Sequence, residues 1–85
     1  MRVDYHKNFR KQFDKLPVKI RDKFGERLAL FLQNKFNPIF NNHSVEPTYP
    51  NWRSINITGD YRALFEVKDK DVVVFMKIGT HSELY

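Results

Sequence analysis

The segment "YRALFEVKDKDVVVFMKI", Tyr61 to Ile78, restricts the possible folds of this chain more than any other. Two runs rich in β-branched and aromatic residues flank a polar pair, Asp69-Lys70, the sequence form of a β-hairpin. With Lys68 opposite Asp71, Phe65 faces Val74, Ala63 faces Met76 and Tyr61 faces Ile78. Opposed residues point to the same side. One face therefore carries Tyr61, Ala63, Phe65, Val67, Val72, Val74, Met76 and Ile78, and it needs a cover. The other carries Arg62 opposite Lys77, Leu64 opposite Phe75 and Glu66 opposite Val73.

The cover lies upstream. Phe9, Phe13 and Leu16 recur at i, i+4, i+7, which predicts a helix from Lys7 that Pro17 ends. Ile20, Phe24, Leu28 and Phe31, widened by Leu30 and Leu32, predict a second helix from Val18 to about Phe36, ended by Pro38. A first strand is expected at Met1–Asp4, and His6 reads as a helix-entry or surface residue. Asn37 to Asn51 contains three prolines and no period, which predicts a loop long enough to suggest function. A strand at Arg53–Ile57 then enters the turn Thr58-Gly59-Asp60, with Ile57 opposite Tyr61 and Asn56 opposite Arg62. The order β-α-α-β-β-β predicts one α+β domain over residues 1–85, a helical hairpin on one face of a mostly antiparallel sheet.

The chain lacks cysteine, so thiolate chemistry and disulfides are excluded. Its three histidines are scattered, with no HExxH pattern, so neither metal nor other cofactor is expected. No apolar run reaches membrane-spanning length and no signal-peptide core is present, which predicts a cytoplasmic protein. Fifteen Lys and Arg stand against ten Asp and Glu, a net +5 that favours a polyanionic partner, nucleic acid or acidic protein. The hairpin register sharpens this. A row Asn56–Arg62–Lys77 would cross three strands on the open face, and opposed like charges destabilise a sheet unless an anion shares them. Phosphate suits such a pair.

The "GDYR" turn, the valine-rich strand and the ending "GTHSELY" resemble the RelE/ParE superfamily of toxins from bacterial toxin–antitoxin modules. The ending is most similar to the YafQ branch of RelE-type mRNA interferases. The resemblance implies a metal-independent endoribonuclease that cuts mRNA in the ribosomal A site, with a cognate antitoxin as partner in a hetero-oligomer. It implies catalytic roles for His81, Asp60, His43, Arg62, Lys77 and Tyr85. The assignment of acid and base among His43, Asp60 and His81 stays open. Asn56, Arg53 and Trp52 are expected at the RNA, and Arg10 and Lys11 on a basic helix face suited to ribosomal RNA, antitoxin or plain solvent. Two positions depart from the YafQ pattern: Asn56 stands where a histidine is expected, and Lys77 where arginine is usual. Because "GDYR" is shared with ParE relatives, a gyrase inhibitor without nuclease activity is the alternative, or a domain that only binds its antitoxin.

Overall fold

The computed structural model describes residues 1–85. Strand β1 (Arg2–Tyr5) leads into helices α1 (Lys7–Asp14) and α2 (Val18–Gln33), a 3-10 turn (Pro38–Phe40), strands β2 (His43–Ser44), β3 (Trp52–Asn56), β4 (Tyr61–Asp69) and β5 (Val72–Thr80), and helix α3 (His81–Leu84). The five strands form one sheet in the order β1-β5-β4-β3-β2, antiparallel except for the β1–β5 pair. The α+β hairpin-on-sheet architecture is as expected from sequence, with β2 and α3 added.

Local chemistry sets the helix ends. His6 enters α1 as its N-cap, its ring nitrogen accepting the Asn8 N–H at 3.0 Å. Helix α2 stops at Gln33, three residues before the expected end. Asn34 uses its side chain to accept the Phe36 N–H, an alternative to the helical ladder that asparagine commonly offers.

The helices bury Phe9, Phe24 and Phe31 against Ile55, Ile57, Ala63, Phe65, Val73, Phe75 and Ile78. Phe40 joins this core fully buried, edge-on to Phe31. The segment expected to be a featureless loop therefore supplies a core residue.

The β3–β4 register is the expected one, with Asn56 opposite Arg62 and Ile55 opposite Ala63. The β4–β5 register differs. Asp69 pairs with Val72, so the loop is Lys70-Asp71 rather than Asp69-Lys70, and two irregularities follow. Lys68 is the extra residue on β4 and Met76 the extra residue on β5. Each bulge slips the pairing by one and turns the following side chains over. Val73 and Phe75 consequently face the core in place of Val72, Val74 and Met76, and the second bulge returns Ile78 to the core. The helical layer secures that distortion: the Ile78 N–H, just past the Met76 bulge, donates to Gln12 Oε1 at 2.9 Å. Gln12→Leu should strand this donor beneath α1 and cost roughly 1–3 kcal/mol, read as a lower urea midpoint at unchanged slope.

Candidate active site

The sheet face away from the helical hairpin has its own small core. Val45, Leu64 and Leu84 are buried together, with Tyr49 and Trp52 packed on them. Polar groups surround this floor. One row runs His43–Ser54–Leu64–Lys77 across four strands, and the next runs Asn56–Arg62–Gly79. Arg62 and Lys77 are thus diagonal neighbours on one face, not opposite each other, because the turn lies one residue later than expected and the two bulges offset one another. The predicted clash of opposed cations does not occur. Arg62 instead uses Nη1 to bond the carbonyls of Thr58, Gly59 and Tyr61 at 3.0–3.1 Å. It ties the turn together and keeps its remaining guanidinium nitrogens for other partners.

Helix α3 is one turn of four residues, too short to persist by itself. Four contacts hold it. Thr80 accepts the Glu83 N–H, while the Glu83 carboxylate accepts the Thr80 N–H at 2.7 Å and its hydroxyl at 2.9 Å, forming a capping box. The Leu84 side chain is buried in the small core, and its carbonyl accepts the Tyr49 hydroxyl at 3.2 Å. The His81 N–H donates to the Asp60 carbonyl at 3.0 Å, which joins tail to turn. Gly79 suits the close packing here, since a Cβ would approach Glu83 Oε1 to 3.1 Å.

The hydrogen bonds from the Thr80 backbone and hydroxyl hold the Glu83 carboxyl below its ordinary value of 4.5. A depressed carboxylate stabilises the fold above its unfolded pKa and loses that contribution as pH falls through the folded value. Helix α3 should therefore fray as the solution is acidified below about 4.5, seen as lower amide protection factors (exchange corrected for the intrinsic pH dependence) at Leu84 and Tyr85. Glu83→Gln should flatten that dependence.

On α3, His81 and Tyr85 are exposed with ring centroids 4.7 Å apart. The His81 ring makes no hydrogen bond within the chain, whereas its backbone is fixed at both Asp60 and Tyr85. Asp60 is exposed in the adjoining turn. His43 is exposed on edge strand β2, its Nδ1 2.7 Å from the Asn41 carbonyl. A carbonyl only accepts, so Nδ1 carries the proton and Nε2 of the neutral ring is the basic nitrogen. Lys77 donates to the Tyr49 hydroxyl at 3.2 Å, and Tyr49 lies parallel to Trp52 with centroids 4.5 Å apart.

Three residues expected at RNA lie away from the open-face groups. Arg53 is opposite Phe65, on the helical side, where it bonds Asn42 through Nε at 2.6 Å and covers the Phe36 ring. Arg10 and Lys11 sit on α1, with Arg10 over the Tyr5 ring. These do not join the open-face groups. Tyr49 also belongs to this face; "TYPNW" marks it as aromatic but carries no sign of its two hydroxyl partners. No group of three or more His, Cys, Asp or Glu side chains is arranged to hold a metal ion.

This fold is the one found in toxins of the RelE/ParE superfamily. The family model described as ParE toxin of type II toxin–antitoxin system, parDE, matches residues 3–85. The chain belongs to that family and is the toxin of a type II module. Among solved structures, YafQ from E. coli BL21(DE3) superposes with a TM-score of 0.82 at 18% identity, covering 100% of this chain and 99% of that one. The protein HP0894 from Helicobacter pylori is 30% identical over 100% of this chain and 99% of its own, with a TM-score of 0.68. The RelE toxin structure determined with RelB from Methanococcus jannaschii gives 0.77 at 21% identity, covering 98% and 95%. Comparison with curated protein sequences returned no match.

Proposed function

We propose that this toxin is an endoribonuclease of the RelE/YafQ kind, acting in the cytoplasm on mRNA in the ribosomal A site. The observation that carries the reading is the tail-to-turn junction. An exposed imidazole with no bond of its own in the fold stands on a one-turn helix that several contacts hold beside Asp60 and Arg62. In this reading a base, His43 or Asp60, takes the 2′-hydroxyl proton, and the oxygen attacks the adjacent phosphorus. The bond to the 5′-oxygen breaks, His81 delivers a proton to that oxygen, and a 2′,3′-cyclic phosphate and a 5′-hydroxyl remain. Arg62 and Lys77 neutralise the charge on the crowded phosphorus, while Tyr85 and Trp52 offer rings to flanking bases and Asn56 an amide. The partner that silences the toxin is an antitoxin, as DinJ is paired with YafQ and RelB with RelE in solved complexes.

The ParE family match favours a second reading, inhibition of DNA gyrase without RNA cleavage. Mapping the 5′ ends of cellular mRNA after brief induction separates the two. New ends within codons support the nuclease. Intact mRNA with DNA damage supports the gyrase reading, and neither effect leaves a domain that only binds its antitoxin.

A further inference from the structure

We infer that Tyr49 is a positioning residue of this site, one hydroxyl that holds both the Lys77 ammonium and the tail helix bearing His81 and Tyr85. Its catalytic consequence rests on the endoribonuclease reading; its structural part does not.

The chemistry of the partners fixes the direction of both bonds. An ammonium only donates and a carbonyl only accepts, so the Tyr49 oxygen accepts from Lys77 Nζ while its proton goes to the Leu84 carbonyl, each at 3.2 Å. These partners are 28 and 35 residues away in sequence, on different elements. The Lys77 stem is long and flexible, and its head would otherwise sample many rotamers. Here it is held at the hydroxyl, 5.1 Å from the ring centroid, with its other protons available. The Leu84 carbonyl is one of the groups at a helix C-terminus that lack an intrahelical partner, and Tyr49 supplies one.

Tyr49 itself is well anchored. Its N–H donates to the Val45 carbonyl at 3.2 Å, its carbonyl accepts the Trp52 N–H at 3.1 Å, and its ring lies within 4° of parallel to Trp52. Buried Val45 roots the loop in the same small core as Leu84. The connection after β2 is thus a rigid arm whose tip couples a cation to the tail. A site whose charges and rings are already ordered needs no further ordering when a substrate phosphate arrives.

The test is Tyr49→Phe, which keeps the ring on Trp52 and removes only the hydroxyl. Amide exchange at Glu83 and Tyr85 should accelerate while the thermal midpoint changes little. With purified toxin and programmed ribosomes, kcat should fall roughly 10- to 100-fold at similar KM. In a Lys77→Met background the same substitution should cost clearly less, because part of its effect acts through Lys77. Unchanged tail exchange overturns the proposal. So does full kcat in Tyr49→Phe, or an equal fold-loss in both backgrounds. If the wild-type toxin cleaves no RNA, the endoribonuclease reading fails, and tail exchange alone then decides whether the hydroxyl holds the helix.

Discussion

His81→Ala is expected to lower kcat for cleavage of ribosome-bound mRNA by about 10²- to 10⁴-fold, the usual contribution of a positioned general acid or base. The protein should remain folded. The side chain is exposed and its ring lies beside that of Tyr85, also exposed, while the bonds that place the residue come from its backbone. Surface substitutions of this type usually change stability by less than about 0.5 kcal/mol. Loss of turnover with an unchanged melting curve is therefore the signature sought. A substrate with sulfur in place of the bridging 5′-oxygen sharpens the assignment, since a thiolate leaves without a proton. If His81 is the acid, that substrate should restore much of the lost rate. Full activity in His81→Ala would remove the residue from the mechanism.

Phe75→Ala should have the largest effect on folding. Its ring is fully buried and lies within 6.0 Å, centroid to centroid, of Tyr5, Phe9, Phe24, Phe31 and Phe65. It joins β1, both long helices and β4 to β5. Truncating a buried phenylalanine costs about 3–5 kcal/mol. Domains of this kind are stable by about 5–15 kcal/mol in all, with small ones toward the lower end. Much of the variant should be unfolded at 37 °C, seen as collapse of the urea midpoint. Val74→Ala is the control, half-buried on the other face opposite Glu66, and should cost about 1 kcal/mol or less. The order of these two effects tests the strand register directly. The pairing read from sequence, with Val74 inward and Phe75 outward, predicts the reverse.

Much of the architecture was legible without coordinates. The Phe9–Phe13 face of α1 and the tight turn at Thr58-Gly59-Asp60 each have one physical solution, and the structure has it, although α1 ends at Asp14, before Leu16 and Pro17. The strand at Val72–Phe75 does not. Four consecutive apolar residues offer no alternation, so both registers leave one face hydrophobic, and a one-residue slip exchanges the faces. Bulges at Lys68 and Met76 leave no mark in composition, and neither does the glutamine on α1 that receives the freed N–H.

The candidate site divides along the same line. Residue types at the turn and tail, an arginine after Gly-Asp-Tyr and a histidine after Gly-Thr, are properties of the sequence and carried the resemblance to this toxin family. Local chemistry also determined the helix caps, the central turn and the charge that favours an anionic partner, because these depend on neighbours a few residues away. Only the tertiary structure decided which face Phe75 occupies, that Arg62 and Lys77 lie diagonally, and that Tyr49 reaches both Lys77 and Leu84. Those outcomes depend on packing between segments tens of residues apart, where steric fit and unmatched hydrogen-bond donors select among pairings that are equivalent along the chain.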